Sequence, residues 1–364
     1  MIIHRAFYRE AALVTLGITA VLLVIVVFQG LSVFLGRAAM GEESKDVVMA
    51  LLGLQTLRKL DLLLPLALYF GILLTLGRWY RDSEMTVLAA CGIGLTQLLR
   101  PVLLFALALA VVVALGSFFF TPYASRQADV VKHESTRVPE VSRMTPGVFS
   151  ESEGGKRIFY TARMDAAGDM EDVFISQLEA GKRAVVVARS GHPFIDEKTG
   201  DKFLALRDGV IYKGEPGEAK YQILHYETYN VRLEPKRLEE PPGTVEGLGN
   251  RELLARGDGP ASAEWHWRMA KPVVVFVLAL YALVLAHTDA RRGRLSNLFA
   301  AILVYLIYSN LLGLGQTLLK KGQVPPAAGL WWLHAGMLLL VAYLLYQRAH
   351  NRPLLPSPAR LWRR

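Results

Sequence analysis

Apolar residues in this chain form long unbroken runs near both ends and short alternating runs in the middle. A helix needs about 20 residues to cross a bilayer. Runs at 11–34, 62–79, 101–120, 269–286 and 298–319 are long enough, and a shorter one at 330–346 is still apolar enough. The pattern therefore predicts six transmembrane helices. The first run is too long for the core of a cleavable leader and has no small-residue cleavage site after it, so it is expected to be retained. Ahead of it, MIIHRAFYRE alternates apolar and basic residues, as an interfacial helix does.

The middle of the chain changes period. RIFYTAR (157–163), DVFISQL (172–178), RAVVVARSG (183–191), KFLALRDGVIYKG (202–214) and YQILHYETYNVRL (221–233) are rich in β-branched and aromatic residues. Turn signals fall among them at Gly154-Gly155, Ala167-Gly168-Asp169, Thr199-Gly200-Asp201, Asp208-Gly209 and Pro216-Gly217. Such spacing predicts an all-β insert, a sandwich or an open barrel. Residues 124–139 read as a helical stalk and 239–263 as a return linker. The expected domains are 1–123 with three spans, 124–263 with the β insert and its linkers, and 264–364 with three spans and a tail.

One connection breaks the rule that loops between spans are plain. RWYRDSEMTVLAACG (78–92) begins with charge and continues with helical periodicity. Asp82 or Ser83 suits a helix cap, and Glu84 sits in the first turn, where the helix dipole favours a carboxylate. Met85, Leu88, Ala89 and Gly92 share one face. Gly92 suits the position just past the end. A short helix over 82–92, with an acidic tip, is expected. The same pattern serves an interfacial helix or a surface that docks on a soluble partner.

Composition agrees with a membrane protein. Of 364 residues, 52% are hydrophobic and 20% charged, below the roughly 25% charged content of soluble domains. The net charge of +9 would suit a nucleic-acid binder, but residues 124–268 hold 21 Lys+Arg against 24 Asp+Glu. The basic excess flanks the apolar runs, so no phosphate-reading patch is expected. With the N-terminus inside, the inner segments carry 13 Lys/Arg and the short outer loops 6. Positive charge inside then places both termini in the cytoplasm and the β insert outside, the periplasm of a bacterial inner membrane.

No residues for chemistry stand out. GGKR (154–157) lacks the earlier glycine and the hydroxyl of a phosphate loop, and the eight histidines have no metal-ligand spacing. Cys91 is the single cysteine, so no intrachain disulfide forms. Neither metal nor cofactor is expected. Asp61 precedes a span and is expected at its outer boundary.

The run LLPLALYFGILLTLGRWYRDSEMTVLAACG (63–92) resembles the second span and coupling helix of the LptF/LptG family, the permease subunits of the lipopolysaccharide-export ABC transporter. TPGVF (145–149), EWHWR (264–268) followed by Pro272, ARRGR (290–294) and QTLLKKG (316–322) resemble that family's landmarks in the same order. The opening decapeptide and the Ala-Cys-Gly close at 90–92 are most similar to its LptF branch. The resemblance implies a helical membrane bundle with an inserted periplasmic jelly-roll-like domain. It implies an LptG-like partner permease, a cytoplasmic ATPase dimer that binds the ATP, an LptC-like bitopic protein and a periplasmic bridge protein. It also implies that lipopolysaccharide leaves the outer leaflet and passes through the β domain. Glu84 is the residue expected to pair with the ATPase, supported by Arg81, Asp82, Ser83, Met85 and Leu88. Lys320 matches a basic position of the family's fifth span and is the first candidate for the lipid phosphates. Lys321, Arg268 and Arg37 follow; Arg37 stands nearest to a basic position that the family often has in its first span. The interfacial-anchor reading is the default for each of these cations, and Arg268 is also placed to pair with Glu264. Phe159 and Phe203 are candidates to line the lipid path, or to form core. Two rival readings remain: another ABC-type permease that transmits force to a periplasmic domain, and a membrane-anchored sensor or scaffold.

Overall fold

The structure, a computed structural model, describes residues 2–39, 45–137, 146–151, 157–165, 168–179, 182–195, 202–214, 222–233, 243–287 and 294–350. The chain forms two units. One comprises Met1–Gly30, Gly53–Gln127 and Gly243–Arg364; the other comprises Leu31–Leu52 and Ala128–Pro242. The predicted turns at Gly154-Gly155, Thr199-Gly200-Asp201 and Pro216-Gly217, Ala167, residues 290–293 and the tail 351–364 lie outside the described residues.

The helices are α1 (Ile2–Ala39), α2 (Lys45–Arg81), α3 (Glu84–Ala90), α4 (Leu95–Leu115), α5 (Thr121–Arg137), α6 (Asn250–Arg256), α7 (Gly259–Leu285), α8 (Arg294–Lys320) and α9 (Trp331–Ala349). Among the described residues five helical stretches, Ile2–Gly36, Val47–Arg81, Leu95–Lys132, Gly259–Leu285 and Asn297–Lys320, are long and apolar enough to cross a membrane. The sixth predicted span is α9, with 19 residues. At ~1.5 Å per residue it matches a ~30 Å hydrocarbon layer. Trp331, Trp332 and His334 at one end and Gln347 and Arg348 at the other make it less apolar than the five.

Within the first unit α7 is the most enclosed helix: Val275, Val277, Leu278, Tyr281, Leu283 and Val284 are fully buried. Helix α1, by contrast, exposes Leu16, Val21, Ile25 and Phe28. In lipid such exposure carries no hydrophobic penalty, and close backbone approach does the packing. Gly71 of α2 is such a point: a Cβ there would stand 2.0 Å from Thr15 Oγ1 of α1. The opening decapeptide does not form a separate interfacial helix. It is the first part of α1, and Phe7 is fully buried, edge-on to Trp79 at 6.1 Å and to Phe105 at 6.1 Å. Aromatic packing has won over the basic residues between.

The second unit carries one antiparallel sheet of β1 (Ser150–Glu151), β2 (Arg157–Met164), β3 (Met170–Glu179), β4 (Lys182–Ile195), β5 (Lys202–Lys213) and β6 (Gln222–Leu233), paired in chain order. The five longer strands match the alternating runs. Asp208-Gly209 is not a turn between strands but lies inside β5. The row Ala162, Asp172, Arg189, Asp208 and Glu227 is the same row missing from all four ladders between β2 and β6. Asp172 (φ 52°) and Asp208 (φ 50°) take left-handed backbone there, which Asp tolerates better than most residues. Across this row the inward face changes parity: Val173 and Ile175 point in on one side and Met170 on the other, as do Ile211 against Leu204 and Leu206. The sheet is creased along one line, and both halves close on a shared core of Phe159, Val186, Ala188 and Val231 with those residues. Tyr226 lies over Gly209, where a Cβ would meet its hydroxyl at 2.2 Å. That hydroxyl donates to Val187 O at 3.1 Å. Burial, with Tyr229 beside it, pushes the phenol up to about 12, so it stays a donor.

Candidate functional site

The charged connection folds as a short helix, α3, between α2 and α4. Its end follows from Gly92. At φ 83° that residue turns the chain left-handed, so Gly92 N–H bonds Ala89 O at 3.0 Å and Ile93 N–H bonds Leu88 O at 2.9 Å. This is the Schellman closure. The start differs from expectation. Ser83 occupies the cap position at φ 62° and its side chain makes no capping bond. Charge fixes this end instead. Arg78 Nη1 reaches Asp82 Oδ2 at 3.2 Å and Glu84 Oε1 at 3.3 Å, and Arg81 Nε reaches Asp82 Oδ1 at 3.3 Å.

The other nitrogen of Arg78 turns to α1. Nη2 donates to both oxygens of Glu10, at 2.7 and 2.8 Å, and Trp79 Nε1 donates to the same carboxylate at 2.9 Å. Met85 is buried in the bundle core and Leu88 packs beside it. Burying a Met side chain is worth about 1.5–3 kcal/mol. That contact seats α3 and takes Met85 off any outward face. Asp82, Ser83, Glu84 and Val87 stay exposed, with Val87 at 63%. The outer surface of α3 is thus acidic at one end and apolar beyond.

A second polar cluster in the first unit joins α2, α5 and α7. Lys271 Nζ donates to Asp61 Oδ2 at 2.7 Å, and Thr121 Oγ1 donates to the same oxygen at 2.8 Å. Asp61 is buried, 2% exposed. Arg268, one turn before Lys271, is fully buried. Its Nε donates to Glu264 (2.9 Å), Nη1 to Asn250 Oδ1 (2.8 Å) and Nη2 to the carbonyls of Glu246 and Leu248 (both 3.0 Å). Pro272 lacks the N–H that would bond the carbonyl of Arg268. Ser117 Oγ donates to that carbonyl instead, at 3.2 Å. Ser117 lies in a π turn, Gly116–Phe120, which joins α4 to α5. Asn250 also donates to Phe118 O in the same turn at 3.0 Å. Arg268 therefore spends its charge inside the protein, and this takes it out of the set of cations facing lipid.

Lys320 and Lys321 are exposed at and just past the end of α8. The start of α7 lies close by: a Cβ on Gly259 would meet Lys320 O at 2.8 Å. The side chain of Arg37 lies outside the described residues. Phe159 is 2% exposed in the sheet core, whereas Phe203 is half-buried and stacked on Phe194 at 5.6 Å. The two candidates for the lipid path thus differ: one is interior packing, the other is reachable. Among the described residues no cluster of His, Cys, Asp and Glu has the geometry of a metal site.

A family model described as lipopolysaccharide export system permease LptF/LptG matches residues 5–347. The chain belongs to the LptF/LptG family. It is 30% identical over 351 residues to the lipopolysaccharide export system permease protein LptF of Escherichia coli strain K12, covering 94% of each chain. The same figures hold for LptF of Escherichia coli O6:H1 strain CFT073 and of Shigella flexneri. The similarity thus falls on the LptF branch, and the chain is a multi-pass membrane permease.

For this LptF/LptG-family chain, sequence reasoning anticipated the short helix α3 but missed the pairing of Arg78 with Glu10. One signal was present: Glu10 is the sole carboxylate in the first 41 residues, among the basic residues that open the chain. An isolated acid there calls for a cation. Lys271 and Asp61, 210 residues apart, offered no such local signal.

Proposed function

We propose that this permease forms one half of a heterodimeric channel with an LptG-like subunit, and that it lifts lipopolysaccharide from the outer leaflet of the bacterial inner membrane. Both termini face the cytoplasm and the β unit faces the periplasm. A separate cytoplasmic ATPase dimer supplies the work and docks on α3. An LptC-like bitopic protein and a periplasmic bridge protein continue the path toward the outer membrane. The reading is physically demanding in one respect. Each lipid CH₂ exposed to water costs about 0.8 kcal/mol, so a multi-chain lipid needs both an apolar conduit and an outside energy source.

The observation that carries the reading is α3. It is a short helix fixed at both ends to membrane helices, seated by Met85, with Glu84 and Val87 turned outward. A lipid-lying helix gains nothing from an outward carboxylate near anionic headgroups, whereas a basic groove on a motor protein does. With Arg268 buried, Lys320, Lys321 and Arg37 remain the candidates to meet lipid phosphates.

The test is isolation of the membrane complex with Glu84→Ala. Loss of the ATPase subunit, or ATP hydrolysis without lipid release, is expected. Normal export by this variant would remove the docking role. A photo-crosslinker at Phe203 should capture lipopolysaccharide only when ATP is supplied; capture without ATP would mean a passive binding site.

A further inference from the structure

Three carboxylates, Glu10, Asp82 and Glu84, surround one guanidinium, Arg78. The bonds are unequal. Glu10 holds Nη2 with two short contacts at 2.7 and 2.8 Å, while Asp82 and Glu84 share Nη1 at 3.2 and 3.3 Å. A bidentate charged pair is the stronger and more directional arrangement. With Arg81 included, the group holds two cations and three anions, so it is one positive charge short. Arg78, Glu10, Asp82 and Glu84 are each about one-third to one-half exposed. The missing charge is therefore open to a cation from outside.

We propose that Arg78 and Glu10 form a relay that carries movement of α3 into α1. This rests on the reading that α3 docks on the ATPase. A cationic side chain from the ATPase takes Glu84, the partner that Arg78 holds least tightly. Arg78 stays clamped to Glu10, so displacement of α3 and the end of α2 pulls on α1 through a charged fork and the Trp79–Glu10 bond. Helix α1 presents much of its length outward, with Leu16, Val21, Ile25 and Phe28 exposed. Its inner face meets α2 at Phe7 and Thr15, so movement of α2 reaches α1 at the same end as the fork. Glu10 is in this account a positioning residue: it touches neither ATP nor lipid.

The test compares Glu10→Gln, Glu10→Asp and Glu84→Ala in the intact membrane complex in proteoliposomes, measuring lipopolysaccharide released per ATP hydrolysed. A change that merely lowers the active fraction reduces release and hydrolysis in proportion and leaves this ratio unmoved. Glu10→Gln is expected to keep the ATPase subunit bound and hydrolysis running while the ratio falls by about tenfold, the scale of a lost charge-assisted bond. Glu10→Asp, which keeps the charge on a shorter stem, is expected to fall between. A wild-type ratio in Glu10→Gln, or in Glu10→Asp should the first fail to assemble, overturns the relay. If Glu84→Ala keeps both the ATPase subunit and the ratio, the docking reading itself falls, and the relay with it.

Discussion

Lys271 of α7 donates to Asp61 of α2 across 2.7 Å, and Thr121 of α5 donates to the same oxygen. Both side chains are nearly closed off, at 10% and 2% exposure. A buried pair of this kind repays its desolvation only while both charges remain. Lys271→Met should therefore destabilise the protein by about 3–5 kcal/mol, whereas Asp61→Leu with Lys271→Leu should cost far less. Thermal unfolding in detergent gives the comparison. Equal losses in the single and double variants would mean that the pair contributes nothing as a pair.

Arg268 makes a similar prediction with a different partner set. It joins α7 to Glu246, Leu248 and Asn250 of the return segment. Arg268→Lys keeps the charge but lacks the planar fork. Proteolysis between 243 and 257 should speed up in this variant by about tenfold or more, the scale of two lost bonds from a charged donor. An unchanged cleavage rate would show that the segment is held by other contacts.

Gly71 and Thr15 set how closely α1 and α2 approach. Gly71→Ala should lower stability by about 1–3 kcal/mol through overpacking. Removing the hydroxyl and methyl with Thr15→Ala should return part of the loss, because the tightest contact is Thr15 Oγ1. No recovery in the double variant would place the strain elsewhere.

Asp258 caps α7 by accepting from Ala261 N–H at 2.8 Å. That bond, with Arg256 adding to it, holds the carboxyl below the usual carboxylate range. A depressed folded value means that the cap is worth most above the unfolded carboxylate range and loses its worth as pH falls through the folded value. The difference in unfolding midpoint between wild type and Asp258→Ala should thus be full at neutral pH and shrink under acid conditions. A constant difference down to pH of about 2 would rule out the charge as its source.

The two periodicities carried most of the fold. Long apolar runs gave the helices, alternation gave β2 to β6, and Gly92 announced the end of α3. Each is local, set by residues within a few positions of one another. What escaped was non-local or two-sided. Asp208-Gly209 has the composition of a turn, but the same left-handed residue bends a strand when its neighbours keep their ladders. Arg268 and Lys271 look alike near the end of a span; only the return segment and α2 decide that neither faces lipid. Arg78 reads as a snorkelling anchor until Glu10, 68 positions earlier, is brought alongside.

The single missing row in the ladders makes the β unit a folded leaf with one spine. Its two covers are each stiffened by complete hydrogen bonding, and Asp172 and Asp208 sit in the binding. The change of face is thereby confined to one line, and the ladders on either side of it keep all their other rungs.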